Sequence, residues 1–99
     1  MSQKLLRVHE EARAEIDSVF SWYFERSEKS AETFLTSLAR NLIQIAFRPK
    51  SFEFQSKRTR RCVMRKFPYP VLFKEYSEFI LVVAVAHAKR HPGHCKNRV

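Results

Sequence analysis

Three consecutive segments decide the fold: Arg60-Arg61-Cys62-Val63-Met64-Arg65-Lys66, then Phe67-Pro68-Tyr69-Pro70, then, after a short polar turn, Phe79-Ile80-Leu81-Val82-Val83-Ala84-Val85-Ala86-His87-Ala88-Lys89-Arg90. The last of these is an unbroken apolar run. A strand covered on one face alternates apolar and polar residues, whereas an unbroken run fits a strand buried on both faces, so 79–87 is placed centrally in a sheet. Upstream, strands are expected near 61–67 and 69–76, joined at Pro68. Neither passes as a fully paired central strand through Pro68 or Pro70, because proline has no amide to donate. Tyr76-Ser77-Glu78 supplies the turn into the last strand. Arginines and lysines thus sit on strand-like segments, and the central strand runs out at His87, Lys89 and Arg90. A sheet of this kind holds a basic, histidine-bearing face in fixed geometry and points to polyanions or a large acidic partner.

Working back toward the N-terminus, the pattern turns helical. Ala12, Ile16, Val19, Phe20, Tyr23 and Phe24 fall on one helical face and predict a helix over 10–26, with Glu10 and Glu11 at the positive end of its dipole. Ala31, Phe34, Leu35, Leu38, Leu42, Ile45 and Ala46 predict a second helix over about 30–48, ended by Pro49. Ser27 or Ser30 can cap it. The short connection makes the two an antiparallel hairpin. Leu5, Leu6 and Val8 form a first strand, and the polar, basic residues 49–60 read as a loop. The order is β-α-α-β-β-β. It predicts an α+β fold in which a helical hairpin packs on a curved, mostly antiparallel sheet.

All of this fits one domain over residues 1–99. The two cysteines, Cys62 and Cys95, are too few for a secreted domain of this size and are expected to have ordinary structural roles. No apolar run reaches the ~18 residues of a membrane span, and Met1-Ser2-Gln3-Lys4 leads into no signal-peptide core. A soluble, cytoplasmic protein is expected. The net charge of +9 is unevenly placed: residues 1–50 carry eight Lys/Arg against seven Asp/Glu, and residues 51–99 carry eleven against three. That asymmetry favours a directed positive field over general solvation.

Several chemistries are set aside by composition. The single glycine, Gly93, permits neither a P-loop nor a dinucleotide fingerprint. His87, His91, His94 and Cys95 resemble metal ligands, but Pro92-Gly93 interrupts any helix that would align them, and no second ligand cluster supports the site. Asp17 is the only aspartate and no serine sits in a nucleophile turn, which argues against a Ser-His-Asp set. No cofactor, metal, small-molecule substrate or membrane partner is expected. What stands out is the basic set Lys57, Arg58, Arg60, Arg61, Arg65, Lys66, Lys89, Arg90, Lys96 and Arg98. Along an extended strand Arg61, Val63, Arg65 and Phe67 share one face, and two arginines so aligned straddle phosphates about 7 Å apart. Guanidinium groups stabilise charge in phosphoryl transfer, and a histidine, as at His87, is the residue type suited to moving a proton near neutral pH. Tyr69, Phe73 and Tyr76 are suited to stacking on bases or to core packing, the latter favoured for Phe73.

These residues, in this order, resemble the RelE/ParE superfamily of toxins from bacterial type II toxin–antitoxin modules, over nearly the whole chain. The likeness rests on Trp22-Tyr23 closing an Ala-rich first helix, Ala31-x-x-Phe34-Leu35 opening the second, and Pro49 after it. Arg60-Arg61 leading to Phe67-Pro68-Tyr69, and His87-x-x-Arg90-x-Pro92 after the last strand, complete it. The resemblance implies a growth-inhibiting toxin held by a cognate antitoxin with an acidic or amphipathic segment. It also implies one of two targets: DNA gyrase for ParE-like members, or mRNA in the ribosomal A site for RelE-like ones. The RelE-like reading would use Arg61, Arg65, His87 and Arg90, with Lys89, in catalysis. The other reading assigns Lys57, Arg58, Arg60, Lys66, Lys89, Lys96 and Arg98 to polyanion or target binding. No tyrosine follows Tyr76, and His94-Cys95 stands where relatives often carry Tyr-Trp, so the ending looks more like the ParE-type or plasmid-stabilisation branch. A non-toxic nucleic-acid-binding protein on the same fold is the third alternative.

Overall fold

The computed structural model describes residues 3–85 and residue 98. Strand β1 (Leu5–Val8) leads directly into helix α1 (Glu10–Arg26), which is followed by α2 (Glu28–Phe47) and a 3₁₀ turn at Pro49–Ser51. Strands β2 (Arg60–Cys62), β3 (Val71–Glu75) and β4 (Phe79–Val85) complete the chain order. The expected α+β architecture holds, with the sheet ordered β1-β4-β3-β2. It is mixed: β1 runs parallel to β4, and the other two pairings are antiparallel.

Local chemistry sets the helix ends. His9 caps α1, its Nδ1 accepting from the Glu11 amide at 3.1 Å. Ser27 serves both helices. Its amide donates to the Tyr23 carbonyl at the end of α1, and its Oγ accepts from the Ser30 amide at the start of α2. Of the two serines considered, Ser27 is therefore the cap, and α2 begins at Glu28. Pro49 stands beyond the last turn, as its missing amide requires.

The helices cover one face of the sheet. Ala12 of α1 and Phe34, Leu38 and Ile45 of α2 are buried against Cys62, Val71, Phe73, Ile80, Val82 and Val85. Two residues expected on the apolar helix faces, Phe24 and Leu35, are instead half exposed, at 50% and 42%. Phe24 lies on the surface side of Phe20, stacked at 5.7 Å. A second buried cluster, Leu72, Val83 and Ala84, belongs to the sheet residues that alternate with the first set. Val83 and Ala84 share it despite being adjacent, because the β3–β4 register slips between Leu72 and Phe73 and leaves Val83 unopposed. Burial of β4 on both faces thus matches its apolar run. Its expected continuation to His87 lies outside the described residues.

The strand expected over 61–67 ends at Cys62, and its partner begins only at Val71. Between them the chain leaves the ladder, since Pro68 and Pro70 cannot donate and the side chains of 67 and 69 turn inward. Phe67 and Tyr69 pack with Tyr23 and Phe34 in an aromatic cluster whose centroids lie 5.3 to 6.4 Å apart. Phe73 is wholly buried with Phe52 edge-on at 5.7 Å, so it is core. Residues 49–60 are more ordered than a plain loop. Phe54 bridges to Arg60, and Arg61 donates its amide to the Glu53 carbonyl, making a small finger beside β2. Cys62 lies in the core, where burial pushes its thiol up to about 11, so it is protonated and unreactive.

Glu75 fastens three distant segments. Lys4 Nζ donates to it at 2.8 Å and Lys50 Nζ at 3.2 Å, while Lys4 also reaches the Tyr76 carbonyl at 2.9 Å. The Lys4 hydrogen bond holds the Glu75 carboxyl below its ordinary range, against the opposing effect of burial. A carboxylate with a lowered folded pKa contributes stability above its unfolded value, and that contribution disappears as pH falls through the folded value. Glu75→Gln should therefore cost about 1–3 kcal/mol at pH 7. Urea denaturation at a series of pH values should show the gap between the two proteins closing below the ordinary carboxylate range. A gap independent of pH would mean the ion pairs contribute nothing.

Candidate functional site

The basic set read from the sequence is distributed over several places. Lys57 and Arg58 are exposed at the tip of the finger formed by 53–61, where Ser56 and Thr59 close the turn by a hydroxyl pair at 2.9 Å. Arg60 faces inward along this finger. Its Nη1 donates to the Phe52 carbonyl at 2.6 Å, and its guanidinium lies 3.9 Å over the Phe54 ring. That engagement fixes the finger to the body and leaves Arg60 little freedom to meet a partner.

Arg61 pairs across to Leu72 and so stands on the sheet face away from the helices, 3.8 Å from Glu53. Arg65 and Lys66 do not share that face. Because the strand ends at Cys62, they come to line a groove against α2, together with Lys29, Thr33, Arg40 and Asn41. The alternation expected for Arg61, Val63, Arg65 and Phe67 is thus broken: Arg61 lies on the sheet, Arg65 in the groove and Phe67 in the core.

Arg98 is also engaged within the chain. It is largely buried, and its Nη1 donates to Glu15 Oε1 at 3.0 Å and to the Val83 carbonyl at 3.2 Å, while its Nε pairs with Glu11 at 3.0 Å. This arginine ties the end of β4, at Val83, to α1. His87, Lys89, Arg90 and Lys96 lie outside the described residues, as do His91, His94 and Cys95. Among the described residues no three His, Cys, Asp or Glu gather into a metal-holding cluster, and no helix is long and apolar enough to cross a membrane.

The sheet face turned from the helices carries two cations that sequence reasoning left out. Arg7 of β1 and Lys74 of β3 both lie opposite Leu81 of β4, one on each side. At the usual strand spacing that sets them roughly 10 Å apart. Each is positioned by an aromatic ring: Arg7 lies 4.9 Å over Phe79, and Lys74 4.9 Å over Tyr76. Those two rings stack on each other at 4.8 Å. Arg7, Phe79, Tyr76 and Lys74 therefore form a continuous cation–aromatic ladder, each cation–ring contact contributing about 0.5–1 kcal/mol at an exposed site. With Arg61, they rim the accessible apolar surface of Leu5 and the half-buried Leu81, beside the buried Leu72. Such a face suits a segment with both acidic and apolar side chains. The signal for Lys74 was present in the period-two run Leu72-Lys74-Tyr76, and for Arg7 in its place between Leu6 and Val8.

A family model described as the ParE toxin of type II toxin-antitoxin system, parDE, matches residues 6–92. No curated protein matches the chain.

Proposed function

The chain belongs to the family of ParE toxins of type II toxin–antitoxin systems, and from that premise we propose that it arrests growth in the cytoplasm by binding DNA gyrase. Family membership implies a cognate antitoxin as partner. The observation that favours binding over RNA cleavage is the separation of Arg61 from Arg65. A nuclease built on the expected set needs Arg61, Arg65, His87 and Arg90 around one phosphate. Arg61 stands on the sheet face turned from the helices, and Arg65 lines the groove along α2. A guanidinium acts on developing charge only within hydrogen-bond reach of it, which two residues on different surfaces do not share.

The accessible part of the sheet face turned from the helices, with Arg7, Arg61 and Lys74 around Leu5 and Leu81, is the proposed seat of the antitoxin's acidic or amphipathic segment. The finger tip, with Lys57 and Arg58, is the proposed contact to the target. The deciding experiment adds the purified protein to gyrase and relaxed plasmid. The expected result is loss of supercoiling or accumulation of cleaved plasmid, abolished by antitoxin. Unaffected gyrase together with cut mRNA in a translating-ribosome extract would move the chain to the endonuclease reading. Unaffected gyrase with intact mRNA and normal growth on induction would make it a non-toxic binding module.

A further inference from the structure

The groove between α2 and residues 63–66 has a composition that neither the core nor the sheet face turned from the helices explains. It encloses about 960 Å³. Lys29, Thr33, Ser37, Arg40 and Gln44 recur along α2 at helical spacing, on the flank beside its buried stripe of Phe34, Leu38 and Ile45. Arg65 and Lys66 form the other bank, so four cations face one anion, Glu32. None of these four enters an ion pair with another described residue.

Of the polar groups along it, the threonine hydroxyls are satisfied and one amide is not. The Thr33 and Thr36 hydroxyls donate to the Lys29 and Glu32 carbonyls, each at 3.0 Å. Asn41 Nδ2 is buried with no hydrogen-bond partner, although buried donors are nearly always satisfied. The groove therefore holds four cations that lack acceptors, beside a buried amide donor that also lacks one, and a ligand that complements the cations brings closely spaced anionic oxygens. Val63 is the one large apolar side chain along it and no aromatic ring lines it. An amphipathic helix would find no apolar seat, and bases would find no ring to stack on.

We propose that this groove binds the phosphate backbone of a single nucleic-acid strand, without sequence preference. Lys29 and Arg40 stand eleven residues apart, about 16 Å along the helix axis, so the contact extends over several successive phosphates. The site is separate from the proposed gyrase contact, and the two can fail independently.

The test is fluorescence anisotropy with labelled 20-nucleotide single-stranded DNA and RNA of mixed sequence, duplex DNA, and polyglutamate, using the full chain at several salt concentrations. Four phosphate contacts predict a slope of log K against log salt of about −3 for a single strand. Arg40→Gln with Arg65→Gln should reduce that slope by about 1.4 and weaken binding about 25-fold at 0.1 M salt. Arg13→Gln with Arg26→Gln removes the same charge from α1 and should leave the slope unchanged. Equal losses from both pairs would show that net charge acts without a site, and would overturn the proposal. So would tighter binding of polyglutamate than of either single strand, or tighter binding of duplex. Comparison of the DNA and RNA arms identifies which strand is preferred. Unchanged thermal melts of both double variants exclude misfolding as the cause.

Discussion

Phe34→Ala lowers the melting temperature by at least about 12 °C. Phe34 is completely buried, and its ring meets Tyr23 at 6.1 Å, Phe67 at 5.6 Å and Tyr69 at 6.0 Å. It is the point at which α1, α2 and the connection 63–70 come together. Truncating a buried phenylalanine costs about 3–5 kcal/mol, through lost transfer energy and the cavity left behind. The total stability of a domain is only about 5–15 kcal/mol, and each kcal/mol corresponds to about 4–8 °C at this size. The cavity cannot collapse easily, because Pro68 and Pro70 stiffen the backbone that would have to follow. A thermal melt by circular dichroism measures the effect, and Phe34→Leu should recover more than half of it. A shift under about 5 °C for Phe34→Ala would mean that the aromatic cluster does not hold the connection. The same variant should loosen the bank carrying Arg65 and Lys66, since Phe67 anchors the chain immediately after them.

Which features were legible follows from the range of the interactions that determine them. The bounds of α1 depend on local periodicity and on acidic residues in its first turn, and the expected 10–26 coincides with Glu10–Arg26. The central place of β4 was readable because burial on both faces leaves an unbroken apolar run. The strand expected over 61–67 misled for an instructive reason. Cys62 and Met64 are both buried, so the alternation of a strand persists to residue 64. A ladder also needs a partner, however, and the prolines delay that partner until Val71. Along the chain the basic residues are densest over 57–66, whereas single charges elsewhere carry no such signal. Arg7 and Lys74 are isolated in apolar strands and become neighbours only through the register that sets both beside Leu81. Lys29 and Arg40 lie in the nearly neutral half and join Arg65 and Lys66 only once residues 63–66 pack along α2. Conversely, nothing in the sequence distinguishes Arg60 and Arg98, both engaged within the fold, from the exposed Lys57 and Arg58.

The largest electrostatic effect is expected at Glu15. Strand β1 ends at Val8, and among the described residues the His9 amide makes the last backbone bond to that edge of β4, at the Val82 carbonyl. Beyond it, β4 would present unpaired backbone groups in a largely buried position. Two side chains take over: the Val85 amide donates to Glu15 Oε1 at 3.0 Å, and the Val83 carbonyl accepts from Arg98 Nη1 at 3.2 Å. The same Glu15 oxygen accepts from Arg98 at 3.0 Å, so the pair acts as one clasp, with both side chains nearly covered, at 13% and 11% exposure. Glu15→Ala removes the acceptor from the Val85 amide and a carboxylate from a largely buried guanidinium. Breaking a buried pair from one side costs about 3–5 kcal/mol, and the contact of Arg98 with Glu11 places the loss near the lower end. Glu15→Gln keeps an acceptor for Val85 and loses only the charge, so its cost should be smaller by half or more. Arg98→Ala with Glu15→Ala should be less destabilising than the sum of the single variants by about 0.5–3 kcal/mol, the sign of a shared interaction. Urea denaturation of the four proteins measures the cycle. Additivity within about 0.5 kcal/mol, or a cost below about 1 kcal/mol for Glu15→Ala, would show that backbone pairing alone holds β4.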